Sequence, residues 1–176
     1  MDPLGAAGIA APPGTIAPMS EAKTTKPATA RLAALDADDL AVVSAHVQDA
    51  VVRVGDLLWS PAERRFALAM NRYAWEAADA KGARGPGERR RAALQFDRVL
   101  SAKTCRIRRD VPDAVLSLLA VTFEPAADPA LAPSGAVVLT FAGGGGVRLE
   151  VECIEARLAD LGAAWEARAK PAHEVG

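Results

Sequence analysis

The chain of 176 residues is 51% apolar and 24% charged, with a net charge of −1. That is the composition of one globular domain with a core of its own, and it excludes polyanion binding by bulk electrostatics. Aromatic residues make up only 5%, so the core must be built from Leu, Val and Ala.

Residues 1–28 are rich in Pro, Gly, Ala and Thr, lack periodicity and read as a disordered leader. Asp2 and the prolines make this leader a poor signal peptide, and Met19 reads as an alternative translation start. Residues 30–35 read as a short strand. Asp36 is an N-cap with Asp39 in the capping-box position, and Leu40, Val43 and Val47 follow at helical spacing as far as Asp49. A strand from Val51 to Trp59 turns at Ser60–Glu63 and returns through Phe66, Leu68 and Met70, making a hairpin.

Residues 77–88 form a loop. The next strand alternates Ala92, Leu94 and Phe96 inward and bends near Asp97. Arg108 to Asp113 connect it to an apolar, β-branched strand over Val115–Glu124. The three prolines within residues 125–134 exclude a strand there. Val137, Leu139 and Phe141 alternate before four glycines, and Val147, Leu149, Val151 and Cys153 alternate after them. Ile154, Leu158, Leu161 and Trp165 then fall at i, i+4, i+7 and i+11, which predicts a C-terminal helix capping the sheet. Pro171 bounds it, and residues 171–176 form a loose tail. The expected fold is therefore a single α+β domain over 30–170: a bent antiparallel sheet or partial barrel with one early helix and one closing helix.

Several motifs invite a chemical reading. The run Gly143–Gly146 resembles a phosphate cradle, but a strand follows it where a helix N-terminus is needed, so it reads as a hairpin turn. Lys81, Arg84, Arg89, Arg90 and Arg91 form the most basic stretch, a candidate contact for an anion or a partner. It lacks the interleaved aromatics of a nucleic-acid platform. Tyr73 and Trp75 share one face beyond a strand and form a candidate partner rim or a cap on the core.

Glu150 and Glu152 lie on one strand face near Glu155. The alternation with Val151 makes that face the solvent side, with Arg148 or arginines of a neighbouring strand as partners. His46 lies off its helix's apolar stripe and His173 lies in the tail, and neither has a nucleophile or ligand set at a recognisable spacing. Cys105 and Cys153 form no CxxC or Cys/His cluster and read as two buried thiols of a reduced compartment. No stretch approaches the ~18 apolar residues of a membrane span.

The segments ALDADDLAVVSAHVQDAVVRVGDLLW, RRFALAMNRY, RRRAALQFDRV, LLAVTFEP and FAGGGGVRLEVECIEARLADLG, in this order, resemble an alphaproteobacterial family known only as a domain of unknown function. The resemblance covers residues 30–172. It implies a bacterial cytoplasmic protein and carries no activity or cofactor. At the level of fold, the order of strands resembles the pleckstrin-homology-like roll, whose members bind peptides, proteins or headgroups.

The sequence thus predicts a non-enzymatic cytoplasmic binding or adaptor module with no cofactor and no metal, whose partner is a protein. The alternative is a regulator that binds a small ligand or anion through residues 81–91.

Overall fold

A computed structural model describes residues 30–74 and 88–161. In chain order the elements are β1 (Arg31–Ala34), α1 (Ala37–Val47), β2 (Ala50–Arg53), β3 (Leu57–Ser60), β4 (Arg65–Tyr73), β5 (Arg89–Phe96), β6 (Val99–Cys105), β7 (Val115–Pro125), β8 (Gly135–Phe141), β9 (Gly146–Val151) and β10 (Ala156–Asp160). Short 3₁₀ turns lie at Val54–Asp56, Pro129–Leu131 and Ala142–Gly144. The first of them breaks the expected strand 51–59 into β2 and β3.

All ten strands join one sheet in the order β1-β10-β5-β4-β2-β7-β8-β9-β6, with β3 on β4. The described pairs are antiparallel, as expected for strands joined by short turns. The sheet is bent but not closed into a barrel. Two short links force the bend. Asp97 and Arg98 carry the chain from β5, third in the order, to β6 at the far end. In a flat sheet those strands would lie roughly 29 Å apart, whereas the link spans at most roughly 11 Å. Residues 152–155 make the same crossing from β9 to β10.

The inside of the bend is filled by alternating residues: Phe66, Leu68 and Met70 on β4, Leu94 and Phe96 on β5, Leu139 and Phe141 on β8, and Leu149 on β9. These are the positions that period-2 alternation assigns to the core.

Helix α1 starts as its sequence predicts. The Asp36 carboxylate accepts from the Asp39 N–H at 2.8 Å, and Asp39 accepts in turn from the Leu35 N–H at 3.1 Å. Leu40, Val43 and Val47 are buried. The helix covers the part of β7 that β2 leaves uncovered. There the register slips between Thr140 and Phe141 of β8, and the Val121 N–H donates to Ser44 Oγ at 2.9 Å.

Glycine is required at two places. Gly143 and Gly144 turn the β8–β9 hairpin with φ of 86° and 91°, and the Phe141 N–H closes the turn on the Gly145 carbonyl at 2.9 Å. A Cβ on Gly135 would collide with the Glu124 carbonyl and the Phe123 ring.

One expectation is corrected. Residues 154–161 do not open a helix: Ile154 and Glu155 belong to no helix or strand, and Ala156–Asp160 form strand β10 between β1 and β5. The reason is the alternation of Ala156, Leu158 and Asp160 toward the interior, which competes with the helical spacing of Ile154, Leu158 and Leu161. Trp165 lies outside the described residues.

Candidate functional site

The basic run divides between the two faces of β5. Arg89 is exposed and donates to the carbonyls of Asp49 and Asn71, both at 3.3 Å. Arg91 reaches Asp56 at 3.2 Å. Arg90 points the other way, into the interior, 3.0 Å from Glu88 and 3.6 Å from Asp160. Tyr73 is half-buried and lies directly across from Arg89. Lys81, Arg84, Trp75 and His173 lie outside the described residues.

Beside Arg90 is an ionic cluster that the sequence reading missed. Arg72, with no exposed surface, donates from Nε and Nη2 to the two carboxylate oxygens of Asp160, each at 2.8 Å. The Ala30 N–H adds a third hydrogen bond at 2.9 Å. Burial alone pushes the Asp160 carboxyl up. The hydrogen bonds from Arg72 and Ala30, with the charges of Arg72 and Arg90, outweigh it and hold the group below the usual carboxylate range. A signal was available: Arg72 follows Phe66, Leu68 and Met70 at period 2, and Arg90 precedes Ala92, Leu94 and Phe96 in the same way.

A second cluster ties the two crossing links together. Asp97 accepts from Arg65 Nε and Gln95 Nε2, each at 2.8 Å. Burial raises its carboxyl, but these bonds and the charges of Arg65 and Arg157 prevail and lower it. Glu152 bonds Arg64 at 2.6 Å and lies 3.7 Å from Arg98, which is also 3.7 Å from Glu155. Glu150 lies 2.7 Å from Arg148, the pairing expected from the strand pattern, whereas Glu152 falls beyond the end of β9.

The remaining candidates stand apart. His46 is half-buried, with Nδ1 2.9 Å from the Val42 carbonyl. Cys105 is exposed and Cys153 half-buried, both free thiols, which corrects the expectation of two buried ones. Cys153 falls past the end of β9, where the alternation that placed it inward has stopped. Among the described residues no three His, Cys, Asp or Glu side chains are grouped to hold a metal, and no helix is long and apolar enough to cross a membrane.

A groove of about 490 Å³ lies between the start of α1 and the proline loop after β7. Leu35, Phe123, Pro125, Pro129, Pro133 and Ile154 form most of its wall. The loop is braced from within. The Ala126 N–H donates to Ser134 O at 3.0 Å, and Ser134 donates to Leu131 O through its N–H at 2.9 Å and its hydroxyl at 2.5 Å. Leu35 is 67% exposed, and Leu131 on the same loop is 58% exposed.

The groove's fringe is acidic. Asp36 is part of the wall, Asp38 and Asp39 follow in the first turn of α1, and Asp128 precedes Pro129 and caps its 3₁₀ turn. No cation among the described residues pairs with any of the four.

These features define an α+β protein with one open antiparallel sheet and an apolar groove beside its only described helix. The chain belongs to the family described as protein of unknown function (DUF2948), whose model matches residues 30–173. No curated protein and no solved structure matches it.

Proposed function

We propose that this domain is a non-enzymatic protein-binding module of the bacterial cytoplasm. Its groove between α1 and the proline loop takes a partner segment in which apolar side chains are flanked by lysine or arginine. The observation that carries this reading is the groove itself: a braced apolar wall with exposed leucines, fringed by aspartates that no described cation neutralises. A pre-formed apolar trough lowers the ordering cost of binding, and complementary charge at its rim sets orientation and on-rate.

The two shifted carboxylates are not candidates for acid–base catalysis. Asp97 and Asp160 are both lowered by arginine partners, the direction opposite to that of a general acid or base poised near neutrality.

The test is selection of displayed peptides on the full chain. Enriched peptides should combine apolar residues with Lys or Arg. Ala126→Trp, which fills the groove, should abolish their binding, and Asp38→Lys should weaken it about threefold, the size of an exposed charge pair. Peptides without basic residues, or binding indifferent to Ala126→Trp in a folded variant, would contradict the reading.

A second reading, anion binding by segment 81–91, is favoured by Arg89, whose exposed guanidinium meets only carbonyl oxygens among the described residues. It requires that Arg89→Glu abolish binding to anionic liposomes, and it fails if the wild type does not bind them.

A further inference from the structure

The seam of the open sheet holds a second cavity, unrelated to the groove. Strands β3 and β6 each leave one edge without a strand partner among the described residues. The seam is pinned at one end, where the Val99 N–H donates to the Arg64 carbonyl at 2.9 Å. At the other end the Gly55 N–H donates to Pro112 O at 2.8 Å and the Val54 N–H to Ala114 O at 2.9 Å. Between the pins lies a cavity of about 400 Å³, walled by Leu57, Trp59, Phe66, Ala102, Thr104 and Arg109. Pinning at both ends excludes an added strand running the length of the seam and leaves room for a compact ligand.

The volume falls in the range of small-molecule sites, and the wall combines apolar side chains with polar groups. Trp59 and Phe66 supply aromatic surface. The only charge in the wall is Arg109, which is exposed and has no ion-pair partner among the described residues. The adjacent Asp110 pairs with Arg108 at 3.2 Å. Thr104 adds a hydroxyl.

We propose that this seam cavity binds a small amphipathic anion. The apolar body lies against Trp59 and Phe66, and a single carboxylate meets the Arg109 fork, the geometry that guanidinium favours.

The probe is decanoate, with decanol as its uncharged counterpart, titrated into the full chain and followed by proton–nitrogen NMR. Decanoate should shift the Trp59 indole signal, assigned with Trp59→Phe, together with the amides of Ala102 and Thr104. Arg109→Gln should weaken decanoate about tenfold, the loss of one charge-assisted hydrogen bond, and leave decanol unchanged. Ala102→Trp should abolish both. If Ala102→Trp does not fold, Arg109→Gln, on an exposed side chain, decides alone. Three results overturn the proposal: no shift at Trp59 with millimolar decanoate, shifts confined to the α1 groove, or an Arg109→Gln variant that binds decanoate as well as the wild type.

Discussion

Asp160 occupies a core-facing position on β10, after Ala156 and Leu158, where the strand pattern calls for an apolar side chain. Its carboxylate pairs with Arg72 and, together with Glu88, helps offset Arg90 in the interior, because a buried charge is costly unless it is paired and hydrogen-bonded. Asp160→Asn keeps the shape but removes the charge that both guanidiniums share. It should cost about 3 kcal/mol, measured by urea unfolding.

The pH dependence follows from the same residue. The folded carboxyl titrates below its unfolded value, so its stabilisation is fully present above the unfolded value, near pH 4. It is lost as pH falls through the folded value. Wild-type stability should fall steeply below about pH 4, and the Asp160→Asn curve should be flatter there. Asp97, lowered in the same direction, leaves a residual slope in the variant.

The cluster also explains what was hard to see in the sequence. Arg89-Arg90-Arg91 reads as one patch when counted by composition, yet strand alternation sends Arg90 inward and its neighbours outward.

Among the elements, the strands with unbroken apolar alternation were legible: β4, β8 and β9 lie where Phe66–Met70, Val137–Phe141 and Val147–Val151 predict. So was α1, whose cap and stripe agree. The C-terminal segment was misread because five residues cannot separate period 2 from period 3.6 when the third inward position is Asp160 rather than an apolar residue. The break between β2 and β3 was also hidden, since Val54–Asp56 makes its turn without proline.

Helix α1 stands in for a missing strand beside β7, and Ser44 is the residue through which it does so. Ser44→Ala leaves the Val121 N–H, in a buried residue, without its acceptor. The variant should lose about 1–2 kcal/mol in urea unfolding, more than Ala substitution at the exposed Gln48. An equal effect at the two positions would mean that the hydrogen bond contributes nothing.

At the scale of the molecule, the order of the strands was not legible, because the links that bend the sheet are only a few residues long and look like ordinary turns. Nor were the two cavities. The groove joins Leu35 to Ile154, and the seam joins Trp59 to Ala102. Each is apolar surface that sequence alone assigns to a core. Their chemistries differ in a way that follows from sheet closure. Where α1 covers the sheet, the concavity is apolar with an acidic fringe; where the sheet stays open, it carries one arginine.

The most direct test of the binding reading is amide hydrogen exchange on the full chain, followed by NMR with and without a selected basic-apolar peptide. Exchange should slow at residues 35–37, 123–126 and 129–134 and stay unchanged at 57–59 and 102–104. Slowing confined to the Arg89–Arg91 edge or to the seam, with none at the proline loop, would contradict it.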